Sequence, residues 1–220
     1  MARFVPNVAS DLKQIFMFPV SVARGRHIKP VLAVAGITAG IIAFEEHNKQ
    51  AFKRTQSFGG FNRVFSGSNT ALASEILPAA FYIVSLARKD IYGQKTFWLA
   101  GEAVLDSTIL TTVMKDIDRR WRPCDVPSNS GRSDTWFEYK RGNYLTGLGG
   151  FPSGHTIAAF ALATVFANRY PKPRWRAWVF YGLASLVGFS RVTLQSHFPS
   201  DVFAGSALGF VIGRKVVLRK

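Results

Sequence analysis

The sequence predicts an all-α protein built as a bundle of six membrane-spanning helices. Three observations favour this fold. Six apolar segments recur along the 220 residues, basic stretches separate them alternately, and glycines repeat at four-residue spacing in the first and last segments. Residues 31–220 are predicted to form a single domain. Residues 1–30 are predicted to be a cytoplasmic lead-in, which either lies at the membrane interface or has no fixed structure.

The six apolar segments set the expected number of helices. They are residues 31–44, 71–87, 96–114, 156–167, 177–189 and 202–213. Only the third approaches the roughly 20 residues that a spanning helix needs, and shorter apolar segments are also typical of core helices in soluble proteins. A soluble helical domain is therefore the alternative. Lys and Arg side chains that reach the interface can lengthen a short span, which is compatible with the membrane bundle.

The distribution of charge predicts the orientation of the bundle. The chain carries 28 Lys and Arg against 13 Asp and Glu, a formal net charge of +15, although 48% of its residues are hydrophobic. Four regions hold 16 of these cations: residues 1–30, 88–95, 168–176 and 214–220. Six spanning helices place all four regions on one side, as the positive-inside rule requires of a cytoplasmic face. The charge therefore indicates a topology with both termini cytoplasmic, and we expect no nucleic-acid partner.

Small residues predict close helix packing. Gly205, Gly209 and Gly213 repeat along the last segment, and Gly36 and Gly40 do so in the first. This spacing lets helices approach closely in lipid, whereas each glycine would cost about 1 kcal/mol in a soluble helix.

Two further features limit the possible chemistry. Cys124 is the only cysteine, which excludes an intrachain disulfide and a metal cluster held by cysteines. The longest hydrophilic interval, residues 115–151, is predicted to be an ordered functional loop or a lid on the outer face.

Three clusters at segment ends carry residues suited to phosphate chemistry. In the first, Lys115 and Arg122 lie seven residues apart, so a helix would point both cations to one side. In the second, Ser153, Gly154 and His155 follow a proline at a predicted helix start. There, backbone N–H groups and the helix dipole attract an anion. The alternatives are a solvated basic helix end and a plain helix start that carries a half-exposed histidine.

The third cluster contains Arg191, His197 and Asp201. The four-residue spacing from His197 to Asp201 lets the carboxylate accept the imidazole Nδ1–H, which leaves the Nε2 lone pair free. Arg191 supplies a planar, bidentate ligand for phosphate. A structural His–Asp pair is the alternative. A six-helix topology brings all three clusters to one membrane face, where three cations and two histidines would converge.

Together the clusters resemble the type 2 phosphatidic acid phosphatase family, whose signature is K-x6-R-P, P-S-G-H and S-R-x5-H-x3-D. Every specified position of that signature is matched here. The matching residues are Lys115, Arg122, Pro123, Pro152, Ser153, Gly154, His155, Ser190, Arg191, His197 and Asp201. The resemblance implies a membrane phosphatase that hydrolyses a lipid phosphate monoester or diphosphate at the outer-face ends of the third to sixth helices.

The resemblance also implies a role for each residue. His197 would be the nucleophile that forms a phosphohistidine, Asp201 would orient it, and His155 would be the general acid and base. The phosphate would be held by Lys115, Arg122, Ser153, Gly154 and Arg191. No metal or other cofactor would be required. The bilayer and a lipid phosphate would be the partners, and an inner bacterial membrane would be the location.

Other functions are compatible with the same motifs. A soluble vanadate-dependent haloperoxidase or acid phosphatase of the same superfamily shares the motifs, and a basic membrane scaffold is the non-enzymatic alternative. The motifs do not distinguish among phosphatidic acid, phosphatidylglycerol phosphate, undecaprenyl diphosphate and a lipid A phosphate, and they do not predict the oligomeric state. Glu75, Glu102 and Asp106 lie inside apolar segments, where we expect hydrogen bonds between helices rather than catalysis.

Overall fold

A computed structural model describes residues 4–47, 57–126, 135–137 and 147–218. These residues form α-helices and one short 3₁₀ helix at Pro123–Asp125, without any β-strand, which confirms the all-α prediction. The helices are α1 (Phe4–Phe16), α2 (Phe18–Ala23), α3 (Ile28–His47), α4 (Gly59–Val64), α5 (Gly67–Ala87), α6 (Ile91–Asp118), α7 (Gly154–Arg169), α8 (Trp175–Thr193) and α9 (Pro199–Leu218). Much of the predicted outer loop, residues 127–134 and 138–146, lies outside the described part.

Each of the six apolar segments lies within one helix, in the order α3, α5, α6, α7, α8 and α9. Within the described part of the chain, two of these helices are long and apolar enough to cross a membrane, at Ile28–Glu45 and Gly67–Ala87. Ser66 caps α5 by accepting a hydrogen bond from the backbone N–H of Asn69, and Asp90 caps α6 in the same way. The sixfold crossing of a membrane stays a prediction.

The glycines of α9 pack against α7, as the four-residue spacing predicts. A Cβ atom added to Gly205 would lie 3.0 Å from the carbonyl oxygen of the residue that precedes α7. A Cβ atom added to Gly209 or to Gly213 would lie 2.3 Å or 2.5 Å, respectively, from a backbone carbonyl oxygen of α7. The two helices therefore touch backbone to backbone. The expected close approach at Gly36 and Gly40 is absent, because a Cβ there would meet nothing within 4 Å among the described residues.

The N-terminal helix α1 packs along α6. Asn7 donates a hydrogen bond of 2.9 Å to Glu102 Oε1, and Phe4 makes an edge-on contact with Trp98. The contact of Asn7 with Glu102 confirms the hydrogen bond between helices that was predicted for this buried acid. Asp106 is fully buried, and the side chain of Glu75 is not among those described.

The two ends of the bundle differ in what they bring together. At one end, the basic stretches 88–95 and 168–176 meet. Arg169 donates a hydrogen bond to the backbone carbonyl of Tyr92 at 3.2 Å, and its guanidinium lies 3.6 Å from the Tyr92 ring centroid. The opposite end gathers the last turn of α6, the first turn of α7, the end of α8 and the start of α9. All three predicted clusters lie there.

Candidate active site

Backbone hydrogen bonds hold the three clusters together. The N–H of Ser153 donates to the carbonyl of Asp201 at 3.0 Å, which joins the start of α7 to α9. The N–H of Gly150 donates to the carbonyl of Arg120 at 2.6 Å, which fixes the segment that precedes α7 against the end of α6. These bonds fix the relative positions of residues that are separated by tens of residues in the sequence.

His197 is buried, and its ring orientation is set by a backbone group. Its Nδ1 lies 2.6 Å from the carbonyl oxygen of Gly150. Because a carbonyl oxygen only accepts, Nδ1 carries the proton and Nε2 keeps the lone pair. Asp201 Oδ2 lies 3.6 Å from Nδ1, beyond hydrogen-bond distance, so the expected Asp201 acceptor is replaced by Gly150 while the carboxylate stays as a nearby charge.

The surroundings of His197 favour the neutral ring. Burial lowers the pKa of its imidazole, and the nearby cations Lys115 and Arg122 lower it further, against the opposing effect of the Asp201 carboxylate. The ring is therefore neutral at pH 7, with Nε2 unprotonated.

His155 lies close to both His197 and Arg191. Its Nε2 is 3.2 Å from the carbonyl oxygen of Gly67, at the start of α5. Burial lowers the pKa of His155 to about 4, and the positive charge of Arg191 adds to that effect. An anion placed among these groups would oppose the lowering, because it would stabilise the protonated ring.

Lys115 and Arg122 contribute two of the three predicted cations. Lys115 is 8% exposed, and burial together with the Arg122 charge lowers its pKa to about 8. The Nε of Arg122 is buried and has no hydrogen-bond partner among the residues that the structure describes. A buried guanidinium N–H of this kind is suited to bind an anionic oxygen.

Arg191, predicted as a bidentate ligand for phosphate, donates hydrogen bonds to protein acceptors. Its Nη2 donates to the carbonyl of Phe65 and to Ser190 Oγ, and its Nε donates to the same hydroxyl at 3.1 Å. Protein acceptors therefore occupy the Nε–Nη2 edge of the guanidinium. These hydrogen bonds do not involve Nη1. Nη1 lies near the start of α5, 3.5 Å from where a Cβ atom added to Gly67 would lie. Burial lowers the pKa of Arg191 to about 10.

Ser153 and Gly154 lie at the start of α7, where the anion seat is predicted. Ser153 precedes the first turn and is fully buried, with its Oγ accepting a 2.9 Å hydrogen bond from Thr156. The hydroxyl hydrogen of Ser153 remains available to another acceptor. A Cβ added at Gly154 would lie 3.0 Å from Thr111 Cγ2, so the helix start depends on a small residue here.

Sequence reasoning missed a buried ionic network behind the site. Arg120 donates to Glu45 Oε2 at 3.0 Å, to Ser200 Oγ at 2.8 Å and to Asp201 Oδ1. Glu45, at the end of α3, also accepts from the N–H and the hydroxyl of Ser200. An acid at the end of an apolar segment was the available signal, but nothing in the sequence pairs residue 45 with residue 120.

A helical bundle that gathers two histidines and three cations at one end has the residue types of a phosphate-binding domain. The family model of the PAP2 superfamily matches residues 96–219. The chain belongs to this superfamily, which confirms the resemblance drawn from the motifs.

Two curated relatives illustrate the range of the match. A lipid A 4′-phosphatase of Porphyromonas gingivalis is 30% identical over 145 residues, covering 64% of this chain and 58% of that protein. The undecaprenyl-diphosphatase BcrC of Bacillus subtilis is 38% identical over 63 residues, 29% of this chain and 31% of that protein. The chain thus spans less than two thirds of the length of these curated relatives.

One solved structure matches over most of the chain. It is a transmembrane PAP2-type phosphatidylglycerolphosphate phosphatase from Bacillus subtilis, with a TM-score of 0.41 and 20% identity over 94% of this chain and 93% of that one.

Proposed function

We propose that this protein is an integral-membrane lipid phosphatase that hydrolyses a lipid phosphate monoester or diphosphate through a phosphohistidine. The observation that carries the proposal is the meeting of His197 and His155 with three cations at one end of the bundle. A pair of imidazoles supplies a nucleophile and a proton carrier, and the cations match the charge of a transferring phosphoryl group.

In the first step, Nε2 of His197 attacks phosphorus and the phosphorus–oxygen bond to the lipid breaks. The leaving oxygen takes a proton from His155. The Gly150 carbonyl keeps the proton on Nδ1, so the lone pair of Nε2 is available for attack at neutral pH. The product is a phosphohistidine whose ring carries a positive charge, next to the carboxylate of Asp201.

In the second step, His155 accepts a proton from water, and the water oxygen attacks phosphorus. The electron pair of the nitrogen–phosphorus bond returns to Nε2 of His197, and inorganic phosphate leaves. His155 thus acts as an acid in one step and as a base in the next.

Lys115, Arg122 and Arg191 hold the nonbridging oxygens in this mechanism, together with Ser153 and the N–H groups at the start of α7. Their fixed positive charge stabilises the charge of the transition state. We therefore propose that turnover does not need a divalent metal.

The proposed location is the inner membrane of a bacterium, with both termini in the cytoplasm and the site on the outer face. The separation of the two ends supports it, since the basic stretches around Tyr92 and Arg169 meet away from the site. The activities named for the two relatives support a lipid-linked phosphate as the substrate class, either a lipid A phosphate or a prenyl diphosphate.

The test is phosphate release by the purified protein in detergent, measured with phosphatidic acid, phosphatidylglycerol phosphate, undecaprenyl diphosphate and lipid A. We expect release from at least one lipid in excess EDTA, and its loss in His197→Ala. A strict need for added Mg²⁺ would contradict the metal-independent mechanism. Release of the protein from membranes by alkaline carbonate would contradict the integral-membrane proposal.

A further inference from the structure

Arg120 lies directly behind the two groups that face Nδ1 of His197. Its side chain donates to Asp201 Oδ1, and its own carbonyl oxygen accepts from the N–H of Gly150 at 2.6 Å. The carbonyl of Gly150 in turn accepts from Nδ1 of His197. One residue therefore fixes both the hydrogen-bond acceptor of the histidine and its nearest carboxylate.

The two Nη groups of Arg120 are hydrogen-bonded, and its guanidinium contacts two aromatic rings. It lies between the rings of Trp136 and Phe198, 4.5 and 4.3 Å from their centroids, and it is buried with Glu45. Planar stacking combined with two carboxylate partners leaves an arginine little freedom to rotate. The position of the Asp201 carboxylate is correspondingly well defined.

Glu45 completes the arrangement from a distant part of the chain. It belongs to α3, before the region 96–219 that the family model matches. It binds both Arg120 and Ser200, so it ties α3 to the first turn of α9, which contains Asp201. Without Glu45, the positive charge of Arg120 would act on Asp201 alone.

We propose that Arg120 and Glu45 are positioning residues for His197 in the phosphoryl transfer proposed above, on which this inference rests. Arg120 holds Asp201 and Gly150 in place, and Glu45 balances the charge of Arg120. One arginine between two carboxylates leaves one net negative charge within this network, on the side of His197 that also faces the cations Lys115 and Arg122. That charge matches the positive charge that the His197 ring gains when it bonds to phosphorus.

This arrangement predicts pH effects of opposite sign. Removing the Arg120 cation in Arg120→Gln raises the pKa of His197, so the acidic limb of the kcat/KM profile moves up by about half a unit to one unit. Removing the Glu45 charge in Glu45→Gln leaves the Arg120 cation less balanced, and the same limb moves down by a comparable amount. KM changes little in both variants, because neither side chain is proposed to touch the phosphate.

Two further variants separate charge from geometry. Arg120→Lys keeps the charge but loses the forked contact, so we expect kcat to fall tenfold or more while the acidic limb stays in place. Arg119→Gln is the matched control, because it removes a neighbouring cation that is equally buried, and we expect wild-type kcat and pH dependence. Thermal unfolding of each variant in detergent accompanies the kinetics.

The experiment measures full pH profiles on one lipid substrate for the wild type and these variants. Displacement of the acidic limb in opposite directions in Arg120→Gln and Glu45→Gln supports the proposal. If Arg120→Gln does not fold, a downward displacement of the acidic limb in Glu45→Gln supports the proposal by itself. Unmoved profiles, or displacement in one direction in both, would overturn it while leaving the phosphatase function standing. A wild type without activity on every lipid of the panel would overturn both proposals.

Discussion

Gly209→Ala tests the backbone contact between α7 and α9, which positions the site. A Cβ at residue 209 would lie 2.3 Å from the carbonyl oxygen of Ile157 and 2.9 Å from Cβ of Phe160. Restoring an ordinary contact requires the helices to separate by about 1 Å. Because the obstructing atoms are mainly backbone, no side-chain rotation relieves the overlap, and we expect a loss of about 1–3 kcal/mol in the free energy of unfolding.

The assay is unfolding of the detergent-solubilised protein by a denaturant titration, with Gly182→Ala as the control. Gly182 also lies in a helix, but a Cβ there meets no atom of the described part of the chain within 4 Å, so the control should be at least as stable as the wild type. Phosphate release should fall in Gly209→Ala, since α7 and α9 carry the two sides of the site. Equal stability of the two alanine variants would refute the backbone contact.

Three further predictions test other parts of the structure. Lys115 is a cation below its pKa of about 8 and loses its charge above it, so kcat/KM should fall as the pH rises through 8. In Lys115→Arg this fall should disappear. A pH profile that is the same in this variant as in the wild type would contradict the role of residue 115. Asn7→Ala removes a donor to the buried Glu102 and should cost about 1–3 kcal/mol in unfolding titrations, whereas the exposed Ser10→Ala should not. Gly149→Ala places a Cβ 2.5 Å from the carbonyl oxygen of Lys115, so it should lower kcat through displacement of the adjacent chain, and wild-type kcat would contradict this close contact.

Much of the fold could be predicted because apolar segments bounded by charges favour helices. The boundaries were less predictable. The segment 96–114 lies within α6, which continues to Asp118 until Arg119 adopts a positive φ of 42°. Glycine spacing predicted the packing of α9 correctly and that of α3 wrongly, because the same spacing serves a helix with an open face as well as one in close contact.

The candidate site was predictable only as far as its side chains follow a motif. The acceptor for Nδ1 of His197 is the carbonyl of Gly150, and backbone carbonyls of Phe65 and Gly67 bind Arg191 and His155. Every residue has a carbonyl, so the sequence does not indicate which one is used. The pairing of Glu45 with Arg120 joins positions 75 residues apart, and it depends on how α3 lies against α9.

The low pKa of His155 gives the proposed mechanism a dependence on its own substrate. With Arg191 and His197 nearby, the free site holds this ring neutral at physiological pH, and a neutral imidazole is a poor acid toward a leaving alkoxide. A phosphate dianion bound among the cations reverses the local charge and raises the pKa of His155. The general acid therefore forms where a highly charged phosphate group is bound, and a neutral or singly charged headgroup would raise the pKa less. The proposed site thus selects for charge at the proton-transfer step as well as at binding.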